Sequence, residues 1–484
     1  QQLITSSKKL STNQQQVTTF QPNAFGESQT ITDPRGLVTE QRFNRRGQLV
    51  EKNLLPLSKK DKTLTTLLTH TPAGELLSVS ESADNALLRV TERRVNSLGE
   101  EIKTVLNPAD LNITHVFERD EAGKIKTITD ENGFITRQYR DIEGRLSLEI
   151  IPHTDNTVFA REQHYTLGGK LQTVRTHVKL MAKTHFSAND NLSEACQKLA
   201  PQPEDDLVHY CYDAMGQEIA KIQCVYEPKT QQYHGIVQTK EWDEAGRLVG
   251  ETRLATYMAL ANAAPVGAAA LQLFLAQNDK NEKNRRLMYS HDEAGNKRFS
   301  IANDGAAFEY RYDARGRRIM EIAYGVGVSY PPSNSLQPDP ARDRITYFMH
   351  DELGRETHVI APNGLVTQKE YDAANNVVLT CDYKDSVFTR LNSQGLIYTD
   401  LVATVLRLRP TPGIDQITRG EFDRLNKVIL TTDPLGFTDY FERDALGHLQ
   451  QHTDRNGAIW HYVTNAAGYL QQTETPTVPV SAVV

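Results

Sequence analysis

Apolar and polar residues alternate with a period of two in short stretches along most of this chain. After Gly144, for example, Leu146, Leu148 and Ile150 are separated by charged or hydroxyl residues, and the stretch after Gly246 alternates similarly. Successive side chains of a β-strand point to opposite faces of the sheet. The alternation therefore predicts strands that bury one face more than the other.

A five-residue core recurs between these stretches: an aromatic or long residue, Asp, two variable residues and Gly. The strict copies are Tyr212-Asp213-x-x-Gly216, Trp242-Asp243-x-x-Gly246, Tyr312-Asp313-x-x-Gly316 and Arg443-Asp444-x-x-Gly447. Looser copies end at Gly47, Gly74, Gly99, Gly123, Gly144, Gly169, Gly295, Gly354 and Gly468. Asn replaces the glycine in two more, Tyr371-Asp372-x-x-Asn375 and the copy that ends at Asn426, which makes fifteen units.

The spacing of the cores predicts a β-meander. Five successive pairs of cores are 21 residues apart, and a second turn lies between many of them. The glycines of this second turn are Gly36, Gly133, Gly305, Gly364, Gly436 and Gly457. A turn every 10 or 11 residues leaves room for strands of roughly six to eight residues.

The residue types of the core fit a tight turn. A type I turn favours Asp at its first position and Gly at its fourth, and the Asp carboxylate can accept the N–H two residues on. Gly, or Asn as the next best, tolerates the positive φ of the bulge that follows. The predicted structural turn residues are Asp213, Gly216, Asp243, Gly246, Asp313, Gly316, Asp372, Asn375, Asp444 and Gly447.

Two segments carry a resemblance to a known family. Residues 312–319 (YDARGRRI) and 242–248 (WDEAGRL) resemble the Y-D-x-x-G-R-L signature of YD repeats. These occur in bacterial Rhs proteins, in the B and C components of Tc toxin complexes and, more distantly, in teneurins. The resemblance covers about residues 30–475 and implies a long β-sheet wound into a hollow cocoon. In toxin members the cocoon encloses a cytotoxic C-terminal domain, and in teneurins it serves adhesion.

A second hallmark of the toxin shells is absent. Their shell ends with a D-P-x-G-L-x-G-G segment that leads to autoproteolysis. The segments 433–437 and 33–37 begin similarly but lack the glycine pair. We therefore expect ordinary turns there, and the departure argues against self-cleavage and an attached toxin in this chain.

The period is interrupted four times, which divides the chain into repeat arrays and insertions. We expect a lead-in segment at 1–30, repeat arrays at 31–174, 209–251, 289–324, 346–382 and 417–475, insertions at 175–208, 252–288, 325–345 and 383–416, and a tail at 476–484 that is frayed or a linker. The insertions are expected to cover the ends and rims of the sheet, with a partner-binding surface as the alternative.

Two insertions are predicted to be helical. In 252–288, Leu271, Phe274 and Leu275 follow helical spacing. In 383–416, Asp400 is predicted as the N-cap of a helix through Leu401, Val405 and Leu408 that ends at Pro410.

Composition and charge limit the kinds of partner that the chain is expected to bind. The net charge is −7, with 54 basic and 61 acidic residues, so we expect no nucleic-acid partner. The sequence holds no run of 18 apolar residues, so no membrane-spanning helix is expected. The chain begins with Gln1-Gln2 and carries no visible signal peptide, which suggests a fragment or a processed chain. The resemblance implies a secreted or cell-surface protein, or one delivered by a secretion system.

The cysteines predict no special chemistry. Cys196, Cys211, Cys224 and Cys381 have neither the number nor the spacing of a disulfide framework or metal site. We expect free thiols that are buried or half-buried.

The remaining candidate chemistry favours structural roles, and we expect no catalytic residues, metal or cofactor. His448 and His452 lie in a predicted strand, where four residues span ~13 Å, too far for one metal ion. The turn aspartates could bind cations weakly if neighbouring turns stack. The repeat aromatics Tyr212, Trp242, Tyr312 and Tyr371 could form a ladder for sugars, although cross-strand packing is the favoured explanation.

The predicted fold class is all-β: tandem YD-repeat hairpins in a curled or spiral, cocoon-like sheet shell with short helical insertions. Fifteen units give about 30 strands and a sheet roughly 140 Å long at ~4.8 Å per strand, and sheets beyond ~10 strands curl. The predicted function is a non-catalytic scaffold or encapsulation segment of a larger Rhs- or Tc-toxin-like protein. It would enclose or guide a polypeptide cargo or a partner toxin subunit. The alternative is an adhesion or carbohydrate-binding module that recognises a cell-surface glycan.

Overall fold

The computed structural model describes residues 5–11, 14–57, 62–107, 112–333, 336–390, 398–465 and 468–476. It is nearly all β, with 49% of residues in strands and 6% in helices, so the all-β prediction with short helical insertions is confirmed. The chain divides into two compact units. The first unit comprises Gln1–Thr114, Arg317–Met320 and Ile345–Val484, and the second comprises His115–Gly316 and Glu321–Arg344.

The N-terminal part of the first unit is a series of strands. They are β1 (Thr5–Ser11), β2 (Gln14–Pro22), β3 (Ser28–Thr32), β4 (Val38–Phe43), β5 (Leu49–Leu54), β6 (Leu64–His70), β7 (Leu76–Ala83), β8 (Ala86–Val95) and β9 (Glu101–Leu106). The strand β10 (Ile113–Arg119) follows. The first three of these strands show that the expected lead-in segment is itself part of the sheet.

The second unit continues with strands of similar length. They are β11 (Ile125–Thr129), β12 (Ile135–Arg140), β13 (Leu146–Pro152), β14 (Thr157–Tyr165), β15 (Leu171–Thr176), β16 (Met181–Ala182), β17 (Asp206–Tyr212), β18 (Glu218–Glu227), β19 (Gln232–Trp242), β20 (Leu248–Arg253), β21 (Met258–Leu260), β22 (Arg285–His291), β23 (Lys297–Ala302) and β24 (Ala307–Tyr312). The strand β25 (Arg318–Ala323) follows.

The C-terminal part of the chain returns to the first unit. Its strands are β26 (Arg344–His350), β27 (Glu356–Ile360), β28 (Val366–Tyr371), β29 (Val377–Asp382), β30 (Gln416–Phe422), β31 (Val428–Thr432), β32 (Thr438–Arg443), β33 (Leu449–Thr453), β34 (Ile459–Thr464) and β35 (Leu470–Glu474). The described part of the predicted tail ends at residue 476, and the rest of that prediction lies outside the described residues.

Strands that follow one another along the chain pair antiparallel, as a meander requires; examples are β4 with β5 and β12 with β13. Two insertions alter this order. The short strand β16 returns to β14, so that β15 pairs with β17. In the same way β21 returns to β19, so that β20 pairs with β22.

In the described part of the insertions there are four α-helices: α1 (Leu192–Gln197), α2 (Ala268–Asn278), α3 (Val387–Arg390) and α4 (Tyr398–Val405). The helix predicted around Leu271 is confirmed by α2. No helix was predicted at α1, although Asn191 and Glu194 form a capping box there.

The prediction that Asp400 caps a helix is wrong. Since α4 begins at Tyr398, Asp400 lies inside its first turn, where its carbonyl oxygen accepts the Thr404 hydroxyl at 2.9 Å. The sequence places Tyr398 three residues before the buried Leu401.

The hydrophobic cores lie where insertions cover one face of the sheet. In the 175–208 insertion, Phe186, Ala195 and Leu199 pack against Leu148 and Ile150 of β13. In the 252–288 insertion, residues of the loops and of α2 pack against β18 and β19, with Leu271 only 1% exposed. In the 325–345 insertion, Val328 packs against β23 and β24. The packed insertions therefore determine which face of the sheet beneath them is shielded from water.

Candidate functional site

The D-x-x-G cores form one kind of turn. The Gly216 N–H donates to the Asp213 carbonyl oxygen at 3.1 Å, and the Asp213 N–H donates to the Gln217 carbonyl oxygen at 3.0 Å. The Asp213 carboxylate accepts the N–H groups of Met215 and Gln217 at 2.9 and 2.8 Å. Gly216 has φ +81°, and the ladder between β17 and β18 shifts register beside it. This is a type I turn with a glycine bulge.

The other predicted turn residues have the same left-handed geometry. The φ angles are +76° at Gly246, +75° at Gly316, +70° at Asn375 and +90° at Gly447. The carboxylates of Asp243, Asp313, Asp372 and Asp444 each accept the N–H two residues on. These carboxylates are engaged by their own turns, which accounts for Asp at this position without a cation. A further turn of this kind, Asn23 to Gly26, was not identified from the sequence.

The hydrogen bonds also explain the charge state of the Asp243 carboxyl. N–H donation from the backbone of Arg247, more than any other interaction, lowers the pKa of the Asp243 carboxyl below its usual range. The Arg247 guanidinium adds an ion pair at 2.7 Å. An ionised carboxylate is the stronger acceptor, so these contacts favour the turn at neutral pH.

Side chains connect several of the turns to the next turn of the same kind. A Cβ atom at Gly246 would lie 3.1 Å from the amide of Gln217, the residue that follows Gly216. Likewise, Arg355, which follows Gly354, donates to the Asn375 side chain at 3.0 Å. Within each unit the turns therefore form a contacting series, which we call the linked turns.

The repeat aromatics connect neighbouring hairpins. Tyr212 and Trp242 donate their polar hydrogens to the carbonyl oxygens of Leu171 and Glu218, both at 2.9 Å. Each acceptor stands two residues after the left-handed glycine of the preceding linked turn.

The same contact recurs in other repeats and extends to an arginine. Tyr312 donates to the carbonyl oxygen of Lys297 at 2.9 Å and Tyr371 to that of Glu356 at 2.8 Å. Arg443 uses its Nε in the same way at 3.1 Å. The repeat thus needs a long side chain with a donor at its tip, which Tyr, Trp and Arg all provide.

The arginine after the turn glycine completes the connection. Arg355 forms an ion pair with Asp351 of its own turn at 2.6 Å, and its guanidinium lies 4.6 Å from the centre of the Tyr371 ring. Arg145 has the same relation to Asp141 and Tyr165, at 2.6 and 4.7 Å. One cation therefore connects the acid of its own turn with the aromatic of the next repeat.

This fold is shared with Tc toxin chains. Over 95% of its length the chain matches a chain of the Photorhabdus luminescens Tc holotoxin pore carrying the TccC3-D651A mutation, with TM-score 0.62 and 11% identity. Over 96% of its length it matches a chain of TcdB2-TccC3-TEV, with TM-score 0.63 and 11% identity. It spans 21% and 22% of those two chains. At this identity the likeness is one of fold. No protein-family model and no curated protein matches the sequence.

The predicted histidine pair does not converge on one point. His448 Nδ1 lies 2.9 Å from Asp444 of its own turn, whereas the His452 ring stacks on Phe441 at 4.7 Å. Within the described residues, no group of three or more His, Cys, Asp or Glu side chains could hold a metal ion.

The four cysteines are free thiols, as predicted, and Cys224 and Cys381 are buried. Burial raises the pKa of each of these two thiols to about 11. Both are therefore protonated and unreactive at neutral pH.

A buried polar cluster was missed by the sequence analysis. His177 Nε2 lies 2.9 Å from a Glu162 oxygen and its Nδ1 lies 3.4 Å from Asp205, which also accepts from Arg175 at 3.3 Å. Burial favours neutral Glu162, but the hydrogen bond from His177 and nearby cations lower the pKa of that carboxyl. Asp205 also accepts the Val178 N–H at 3.1 Å. The cluster therefore holds the 175–208 insertion on the sheet.

An open groove of about 780 Å³ lies over β18, β19, β20, β22 and β23. Lys221, Gln238, Arg253 and Arg285 are among its lining residues. On these strands, Ile222 and Val237 face each other on the opposite side of the sheet and are buried. The groove therefore lies on the sheet face that the 252–288 insertion leaves open.

Proposed function

We propose that this chain is a non-catalytic scaffold segment of a larger Rhs- or Tc-toxin-like protein and that it encloses or guides a polypeptide cargo. The observation that carries the proposal is the shared fold over 95% of this chain and 21% of the Tc holotoxin chain. The chain matches only about a fifth of the Tc chain, but it does so along nearly its whole length. We therefore interpret it as one segment of a comparable sheet in a larger protein. The cocoon form belongs to this proposal.

The roles of the repeat residues support a scaffold. The turn aspartates hold their own turns, and the aromatic tips donate to neighbouring backbone carbonyls. The side chains that a sugar ladder would use therefore serve the sheet, which disfavours the glycan-binding alternative. Uniform linked turns build extended arrays in which each unit contacts its neighbours.

The proposed partners are a cargo polypeptide or a second toxin subunit. Two of the matched structures are complexes whose names join TcdB2 and TccC3. Among the described residues no helix is long and apolar enough to cross a membrane. We propose that the protein is secreted, lies at the cell surface or is delivered by a secretion system. We propose no nucleic-acid partner, because the net charge of the chain is −7.

Protease protection of the parent protein tests the proposal. Intact parent protein is digested under native conditions and the fragments are identified by mass spectrometry. We expect a cargo segment that survives while the sheet is native and is cleaved once denaturant opens it. Cleavage of every non-sheet segment at the same rate with and without denaturant would contradict enclosure.

Small-angle scattering of the chain provides a second test. A scaffold should enclose a solvent volume much larger than the ~300–1,000 Å³ of a ligand pocket. A dense interior with one deep, carboxylate- or histidine-lined cleft would instead indicate an enzyme.

A further inference from the structure

Four side chains of the groove lie directly opposite one another across four strands. Lys221 of β18 pairs with Gln238 of β19, Gln238 with Arg253 of β20, and Arg253 with Arg285 of β22. We call these four residues the basic row. It crosses three strand spacings, or about 14 Å.

The cations of the basic row are not paired with an acid. Among the described residues, the side chains of Lys221, Arg253 and Arg285 form no hydrogen bond or ion pair. Three acids line the same groove, Glu218, Glu251 and Asp304. Glu218 pairs with Lys240 at 2.9 Å, Glu251 accepts the Tyr289 hydroxyl at 2.8 Å, and Asp304 accepts the Ala306 N–H at 2.9 Å. The row is therefore a local positive site on an acidic chain.

The arrangement is unfavourable for the sheet itself. Like charges directly opposite on neighbouring strands repel and destabilise the pair. Arg253 and Arg285 are opposed in this way, and both are exposed. An anion seated between them would remove the repulsion and gain charge-assisted hydrogen bonds.

We propose that the basic row binds an acidic segment of a polypeptide, lying extended across the strands. This deepens the proposed function, on which it rests, by naming the chemistry of the guided chain. An extended chain advances ~3.3 Å per residue, so four or five residues cover the row. Carboxylates on such a segment can reach all three cations.

The charge of the whole chain favours a carboxylate peptide over a long polyanion. A net charge of −7 repels nucleic acid or sulfated polysaccharide along most of its length. A short acidic segment needs only the local field of three cations.

Binding of a fluorescein-labelled hexaglutamate to the full 484-residue chain, followed by fluorescence anisotropy, tests the inference. Arg253→Gln combined with Arg285→Gln should weaken binding at least about tenfold. A hexaglutamine probe should bind neither protein. Because the double substitution removes opposed charges, it should leave the melting temperature unchanged or raise it, so a loss of binding cannot be attributed to unfolding.

The matched control is Lys103→Gln combined with Arg419→Gln. Both residues lie in strands, β9 and β30, and their side chains form no hydrogen bond or ion pair among the described residues. The control makes the same change in net charge, and binding should stay within about twofold of the original chain. Equal weakening by both double variants, or no weakening by either, would overturn the inference.

Two further outcomes separate this inference from the proposed function. A heparin fragment that binds as tightly, with the same dependence on Arg253 and Arg285, would overturn the peptide assignment. If the cargo is protected but the double substitution does not weaken hexaglutamate binding, the inference is overturned and the proposed function stands. Row-dependent binding without protected cargo would uphold the acidic-peptide site and remove enclosure from the proposed function.

Discussion

The strands β13 and β32 have similar lengths, yet they bury very different amounts of surface. Leu148 and Ile150 of β13 are 0% exposed beneath the 175–208 insertion. No residue of β32 is buried, and Tyr440 at its centre is 48% exposed. The hairpin repeat therefore forms a sheet from turns, backbone pairing and linked side chains, and an insertion adds a dry core where it covers the sheet.

This contrast defines two classes of strand. We call β13, β14, β18, β19, β23 and β24 the covered strands, and β3 to β6 with β31 to β35 the bare strands, in which no residue is buried. Buried apolar contacts raise the free energy of local opening. We expect the covered strands to open less readily.

The largest expected effect is the loss of a side chain that covers the sheet. Leu271→Ala removes the most buried side chain of α2 and should lower the free energy of unfolding around β18 and β19 by about 2–5 kcal/mol. Native-state hydrogen exchange of those strands measures it. The matched change on a bare strand is Leu67→Ala, at a residue 44% exposed, which should cost less than about 1 kcal/mol. Similar losses at both sites would remove the distinction between the two classes.

Acid should destabilise the buried faces more than the bare strands. Burial is the main cause that lowers the pKa of both His209 and His358 to about 4. A histidine in the unfolded chain has a pKa of about 6.5. The unfolded chain then takes up protons first as the pH falls. The two neutral histidines contribute fully to the free energy of unfolding above about pH 6.5. This contribution is lost progressively down to about pH 4, by up to about 3 kcal/mol for each histidine.

Urea unfolding between pH 7 and pH 4 tests this dependence. His209→Gln should remove about half of the contribution of the two histidines, whereas His461→Gln, at an exposed residue of the bare strand β34, should leave it unchanged. An equal effect of the two substitutions would show that burial does not set the acid response.

Turn strain should be the same wherever the turn lies. Gly316 has φ +75° and Gly436 has φ +87°, and a Cβ at Gly436 would meet no heavy atom within 4 Å. Valine at either position should cost at least about 1 kcal/mol through backbone strain. Asn should be much milder, since Asn375 and Asn426 occupy this geometry. Thermal melts measure both pairs, and equal effects of Val and Asn would refute the turn assignment.

The smallest expected effect concerns the aromatic tips. Tyr371→Phe removes the donor to the Glu356 carbonyl oxygen and should cost about 0.5–1.5 kcal/mol. Tyr462→Phe is the control, since the Tyr462 hydroxyl forms no hydrogen bond among the described residues. If both substitutions are neutral by urea denaturation, the tip contact does not stabilise the sheet.

The hairpin repeat could be predicted from sequence because each turn is a local object. The acceptor carboxylate of Asp213 and the left-handed Gly216 lie within four residues of each other. A short stretch of sequence is therefore enough to predict the turn. The helix α2 was predictable for the same reason. The turn at Gly26 and the capping box before α1 carry equally local signals, although the sequence analysis did not identify them.

The tertiary structure alone decided which residues meet across the strands. Arg253 and Arg285 are 32 residues apart in sequence, and they become direct neighbours because the 252–288 insertion returns the chain to β20. Likewise, Asp205 reaches Arg175 and His177 because the 175–208 insertion folds back on the sheet. Local chemistry fixes turns and strand alternation, whereas register across an insertion depends on packing between distant segments. The sequence by itself therefore determined the repeating hairpins, and packing of the insertions decided where the core, the buried charges and the basic row lie.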